Sequence, residues 1–590
     1  MLVIFRIFKQ VFRKYPKLVA LGYISVIGAS LSAMAIPWFI GASVNSILVS
    51  EGADITDLYR VCIILFLAGL SRGLFSFGQT YIGELVAQKW AYDLRNMYFD
   101  KLQHLSFSFH DSETTGNLMS RATIDVEGVR MFVNMGAIRA GFVVAMIVGI
   151  GGAMIATDFK LAMVSMAFLP LLSWRAVSTS RRLRHGWLII QTLAARMNTV
   201  LQENLNGIRV VKSFAAEEFE KKRFSFAAES VADETRKTQV LWAGNFSIMN
   251  CLFFLSLAAI LWVGGRDILA GTSFQDGETI YNNLNPGELT SFIFYMGLLQ
   301  MPIRMIGWMV NSFSRASSCG QRLFTIVDQI PVINNRIDAI NLTKTKGRID
   351  FNQIFFRYRE NGDWDIENLN LTVESGQHIG IIGTHGSGKT TIAHLIPRFY
   401  DVSSGSITID GYDIRDISLE SLRKSVGIVQ QDVFVHTMSI YDNISYGFPD
   451  ATIEKVIEAA KISQIHEFIL TLPLGYDTVV GERGTGLSGG QKQRLSLART
   501  ILRENPIIIF DDSTSSVDVD TENELIEAIN NNISGKTIIT ISHRLTAVRD
   551  ADFIIVLNNG KIVQKGSHSQ LIESPGEYRD LHLLQTNSRS

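Results

Sequence analysis

Cysteine is scarce. Three residues, Cys62, Cys251 and Cys319, lie far apart in 590 and form no C-x-x-C, so neither a disulfide framework nor a zinc site is signalled. Charge is scarce too: Asp, Glu, Lys and Arg make up 19% of the chain, against a globular norm of about 25%. With 55 bases and 56 acids the formal net charge is −1, so no chain-wide positive field exists to hold a polyanion by counterion release. Nucleic acid is not expected as a partner. Low-complexity tracts and solenoid repeats are also lacking. What is plentiful is apolar surface, at 47% of residues and a mean hydropathy of +0.18, which excludes disorder, collagen and a coiled-coil rod.

That surface is unevenly placed. Apolar runs of spanning length occur at about 18–44, 58–82, 135–157, 160–180, 240–265 and 289–312; about 20 residues cross a bilayer's hydrocarbon core, so six transmembrane helices are expected. Bases stay preferentially on the cytoplasmic side. Residues 1–17 carry Arg6, Lys9, Arg13, Lys14 and Lys17, and the connections 83–134 and 181–237 are long and basic, whereas 46–57 and 266–288 are polar or acidic. This alternation puts both termini and both long connections in the cytoplasm. Ala33-Met-Ala35 has the small-x-small spacing of a signal-peptide cleavage site, but its apolar run continues past a normal h-region. Phe5, Phe8 and Phe12 fall near one face of a helix with bases on the other, as an interfacial helix would have them. The long connections are periodic and too polar for lipid, so the spanning helices should continue beyond the membrane. Arg72, Glu84, Arg139, Arg175 and Arg304 fall within or near spans, where charge faces a water-filled cavity, pairs between helices or snorkels; Arg72 and Arg304 are the cavity candidates.

From Gly347 strand, turn and helix signals alternate. A short apolar strand at 377–382 runs into Gly383-Thr384-His385-Gly386-Ser387-Gly388-Lys389-Thr390, then into a helical pattern from Thr391. This is G-x-x-x-x-G-K-[ST] between strand and helix. Gly386 and Gly388 let backbone N–H groups curl around phosphate and the helix N-terminus adds partial positive charge. Lys389 is expected to reach the β- and γ-phosphates of ATP and Thr390 to ligate Mg2+. A second strand, 507–510, ends in Asp511-Asp512; ligands bind at the carboxyl ends of parallel strands, which places Asp511 to hold the magnesium.

Between them stands Leu487-Ser488-Gly489-Gly490-Gln491-Lys-Gln-Arg494, a helix-opening anion site. Together these motifs resemble the ATP-binding cassette superfamily, with the octapeptide similar to its signature motif. The resemblance implies that Ser488 to Gln491 close on ATP held by the opposite nucleotide-binding domain. It further implies that Tyr358 stacks on adenine, Gln431 approaches magnesium, Asp518 lies in the D-loop and His543 is the switch histidine. Six spans followed by one cassette resemble a half-transporter of the type IV exporter class, like the multidrug and lipid exporters. The expected architecture is an all-α transmembrane domain (1–325), a linker (326–345) and an α/β P-loop nucleotide-binding domain with a RecA-like core (346–590). Asp93-Leu-Arg95, Gly116 to Arg121 with Asp125, and Gly207 to Phe214 with Glu217 match the family's long connections, which end in helices that dock on the cassettes. The implied setting is a multi-pass protein in membrane lipid, in the inner (plasma) membrane if bacterial.

One position departs from the family. Where a glutamate usually polarises the attacking water, the chain has Asp512, one methylene shorter; a misplacement of about 1 Å can cost roughly 100-fold in rate. The implied protein is the slow-site subunit of a heterodimeric exporter, paired with a different chain that carries the glutamate and moving a small hydrophobic or amphipathic substrate. A homodimer with two slow sites, or a backbone shift that restores the reach of Asp512, is the alternative, and the same ATP switch could gate a channel or regulate a partner. The outer connection before the sixth span is longer than usual in the family and carries no functional reading.

Overall fold

The computed structural model describes residues 2–49, 55–275, 278–281, 284–481, 484, 486–512 and 535–587. The chain divides into two compact units, one of residues 1–103 and 115–329 and one of residues 104–114 and 330–590.

The first unit is built on six helices long and apolar enough to cross a membrane: Pro16–Ile47, Ile55–His104, Thr115–Thr157, Phe159–Asn206, Glu217–Gly271 and Pro286–Val327. The last five have 42 to 55 residues. At about 1.5 Å per residue that is roughly 60–80 Å, twice the thickness of a hydrocarbon core. Among the described residues the second helix buries none of its apolar window, so its apolar side chains need lipid or another subunit.

Hydrogen-bonding side chains and small residues set how these helices meet. Asn285 and Glu288 form a capping box with Pro286 at the first helical turn, which satisfies backbone donors that a helix start leaves free. Asn45, at the end of the first span, donates to Asn285 and accepts from the Gly287 N–H at 2.8 Å. One turn on, Ser291 donates to the Pro37 carbonyl at 2.9 Å. A Cβ on Gly41 would overlap Ser291 Oγ and the Gly287 carbonyl, so the two backbones touch as in small-residue membrane packing. Gly41→Val is therefore expected to destabilise the unit by about 3 kcal/mol or more, seen as a lower unfolding midpoint in detergent.

The amino-terminal helix Leu2–Lys14 buries Ile4, Ile7 and Val11, and Val3 and Ile7 close on Gly320 of the sixth helix. Phe5 and Phe12 are exposed, whereas Phe8 is turned inward against Phe132, with ring centroids 5.4 Å apart. Two of its bases are anchored: Arg6 binds Asp328 and lies 4.0 Å from the Phe324 ring, and Lys14 pairs with Asp93 at 2.8 Å. The third helix carries π-helical turns at Arg121–Asp125 and Val133–Ile138. Buried Asp125 is held by Arg322 of the sixth helix, and Glu84 by Arg130 and Asn134.

In the second unit six strands form one sheet in the order β12-β11-β5-β10-β9-β8. Here β5 is His378–Gly383, β8 Val426–Val429, β9 Ile507–Asp511, β10 Thr537–Ile541, β11 Phe553–Asn558 and β12 Lys561–Gly566. Neighbours are parallel except for the β11–β12 pair. Isoleucine-rich runs such as 507–511, buried at every position, are what a strand covered on both faces requires. A smaller antiparallel sheet, β4-β3-β6-β7, joins Ile366–Val373, Ile349–Phe356, Ser404–Ile409 and Tyr412–Asp413. The remaining pair, β1 (Thr272–Gln275) and β2 (Glu278–Tyr281), lies in the connection before the sixth helix.

Candidate functional site

Four adjacent strands of the large sheet end at one edge, and each delivers a residue singled out in the sequence. From β5 comes the loop 383–388, from β10 His543, from β9 Asp511 and Asp512, and from β8 Gln431. The chain visits these strands in the order β5, β8, β9, β10 but stacks them β5-β10-β9-β8, so distant segments converge at the carboxyl ends of parallel strands.

The loop is shaped as a phosphate cradle. Gly386 and Gly388 have φ of +77° and +98°, a region that costs most other residues energy. A Cβ on Gly388 would also come within 2.7 Å of the Asp365 carbonyl. Lys389 opens the helix Lys389–Leu395, and its ammonium donates to the Gly383 and Thr384 carbonyls at 3.0 and 2.8 Å. Burial pulls its pKa down, opposed by Asp512 and Asp511. Ser387 Oγ is buried without a hydrogen-bond partner among the described residues, an orphan donor that fits an anion in the cradle.

Thr390 donates to Asp511 at 3.1 Å. Burial raises the Asp511 carboxyl to about 6, against the pull of the Thr390 hydroxyl; a buried carboxylate beside a hydroxyl is the oxygen-rich setting a hard divalent cation takes. Asp512 is 8% exposed with φ +45°, a left-handed conformation that Asp tolerates better than most residues. Its N–H donates to the Ile541 carbonyl at 2.8 Å, and Gln431 reaches its carboxylate at 3.4 Å. The His543 ring lies 6.0 Å from that of His385; burial and then the Lys389 charge lower its pKa.

Tyr358 is half-exposed at the rim, its hydroxyl 3.2 Å from Thr391 and its ring at right angles to Tyr400, 5.0 Å away. Ser488 caps the 13-residue helix Gly489–Ile501 in a capping box with Gln491. Ser488 and Gly489 are exposed, so this helix N-terminus is open to an outside anion. Asp518 lies outside the described residues. In the first unit Arg304 donates to Asn250 at 2.7 Å and lies 4.8 Å from the Phe246 ring; the space it borders is about 10 Å³, room for a single water. Arg72 is exposed.

A contact not singled out in the sequence involves residues 104–114, which pack within the second unit. Phe107, which opens the helix Phe107–Ser112, stacks on Phe399 at 4.2 Å, and the Tyr400 hydroxyl binds Asp111. The adjacent aromatics Phe399-Tyr400 after the phosphate-loop helix were the available signal. Tyr400 thus touches both Tyr358 and the turn that joins two spanning helices.

Comparison with known proteins shows the family. Residues 19–303 match the ABC transporter transmembrane region and 366–515 the ABC transporter domain. The chain is 37% identical over 517 residues to a Bacillus subtilis protein named uncharacterized ABC transporter ATP-binding protein YknU, covering 87% of this chain and 86% of that one. It is 34% identical over 570 residues to an ATP-dependent lipid A-core flippase of Syntrophus aciditrophicus, covering 96% and 92%. Among solved structures, a bacterial Atm1-family ABC exporter with ATP bound superposes with a TM-score of 0.80 at 27% identity, covering 98% of this chain and 99% of that one. With six membrane-spanning helices and one nucleotide-binding unit, the chain belongs to the ATP-binding cassette transporters, as a half-transporter of the type IV exporter class whose ATPase is coupled to transport.

Proposed function

We propose that the chain is one half of a heterodimeric exporter that moves a small hydrophobic or amphipathic substrate out of the cytoplasm by alternating access, with a slow ATPase site on this chain. The carrying observation is Asp512: its backbone N–H is fixed on Ile541 and its side chain is buried, so little slack remains to replace the missing methylene. The flippase relative supports an amphipathic substrate, and the unburied second span supports a second subunit. His543, retained at the site, favours the homodimer as the competing reading.

In this reading Gly383 to Thr391 cradle the phosphates, Lys389 neutralises them, Tyr358 packs on adenine and His543 contacts the terminal phosphate. Thr390, Asp511 and Gln431 would hold Mg2+, which when bound offsets phosphate charge. Ser488 to Gln491 complete the partner's site, and Asp518 is the D-loop residue. Both termini and the cassette are cytoplasmic, in the plasma membrane if the source is bacterial. ATP binding closes the two cassettes, and residues 104–114 carry closure to the spanning helices; ATP shifts the equilibrium because it binds the closed form better. Affinity capture from native membranes tests the pairing: a second half-transporter with glutamate after its magnesium aspartate is expected, and recovery of this chain alone contradicts it.

Asp511 also sets a pH dependence. Its carboxyl is raised to about 6, so Mg2+ competes with a proton below that pH and with nothing above it. Asp511's share of the Mg2+ affinity should therefore weaken as pH falls through its raised pKa, by at most about tenfold per unit. Titration of wild type beside Asp511→Asn checks this, since the dependence that survives in the variant belongs to the nucleotide.

A further inference from the structure

The helices Phe159–Asn206 and Glu217–Gly271 press together at Gly186, where a Cβ would lie 2.5 Å from Thr238 Oγ1. Beside that contact they leave a groove of about 430 Å³ lined by Arg181, Arg182, His185, Glu234, Lys237 and Leu241, within the size range of small-molecule sites. Lys237 pairs with Glu234 at 3.1 Å. Arg181 and Arg182 have no ion-pair partner among the described residues.

Depth identifies what they face. The apolar run 160–180 ends immediately before Arg181, and the run 240–265 begins immediately before Leu241. The groove therefore straddles the level at which both helices leave hydrocarbon. Trp187 and Trp242, next in sequence to the lining residues Gly186 and Leu241, are 47% and 54% exposed, as tryptophan is at headgroup level. We propose that this groove binds the phosphate of an anionic phospholipid in the leaflet on the side of the long connections. The Arg181 and Arg182 guanidinium groups are the planar forks that suit a phosphate, and Leu241 leads toward the apolar surface where acyl chains lie. Basic pockets between helices at this depth are a recurring form of lipid recognition. The inference rests on the two helices spanning the membrane and not on the role given to Asp512.

The test uses the full-length protein in vesicles of phosphatidylcholine with phosphatidylglycerol, with native mass spectrometry counting retained phosphatidylglycerol. Each base removed should weaken retention about fivefold, so a combined Arg181→Gln, Arg182→Gln, Lys237→Gln variant should lose it by about 100-fold. Single substitutions, each removing one exposed side chain, should move the same way. An equally neutralised control, Arg196→Gln, Lys221→Gln, Lys222→Gln, lies roughly 20 Å farther along the helices and should retain the lipid, and inorganic phosphate should not displace it. Retention by the groove variant, equal loss in the control, or displacement by inorganic phosphate overturns the proposal.

Discussion

Asp512→Glu is expected to raise ATP turnover of the chain purified without a companion by about 100-fold. The carboxylate stands at the end of β9 with the backbone in a left-handed conformation and its N–H committed to Ile541. An added methylene therefore moves the carboxylate toward the phosphate cradle and leaves the backbone in place. Gln431, now 3.4 Å from Asp512, and His543 remain in reach of the new side chain's surroundings. Steady-state hydrolysis by both forms at saturating Mg·ATP checks the prediction. An unchanged rate would mean that the shorter acid already reaches the attacking water.

The second large effect separates the chain's two contributions to a pair. Ser488→Arg puts a bulky cation on the exposed N-terminus of the helix Gly489–Ile501 and breaks the capping box with Gln491. In an assembly with a glutamate-bearing companion it should lower turnover by about 100-fold, the effect of losing a donor aimed at developing charge. Asp512→Asn in the same assembly should remove only the slow site's share, about one per cent. Paired rates for these two variants, with wild-type expression and ATP binding as controls, decide it. Equal losses would show that both sites work at similar speed.

The parts of this molecule legible in sequence are those fixed by short-range rules. Spanning helices follow from run length, so 240–265 was recognisable although its helix extends over Glu217–Gly271. The phosphate loop is equally local, because Gly386, Gly388, Lys389 and Thr390 act through their own backbone and helix. Asp511 was expected from its place at the carboxyl end of a strand, whereas the approach of His543 and Gln431 to it was expected only through family resemblance; the physical cause of the convergence is the strand order β5-β10-β9-β8. Pairs set by packing between distant segments could not be read. Asp125 with Arg322, Asn45 with Gly287, and Asp111 with Tyr400 join residues far apart in the chain, and each residue alone looks like a solvated polar group. The left-handed backbone of Asp512 was hidden for the same reason, since it depends on the Ile541 carbonyl across the sheet.

The proposed pair has unequal sites, and the most direct measurement is ATP hydrolysis by this chain alone and by this chain with its co-purified companion, at equal concentration of phosphate loops. A lone chain that binds ATP and turns it over about 100-fold more slowly than the pair is the predicted result. Full-rate hydrolysis by the lone chain would contradict it.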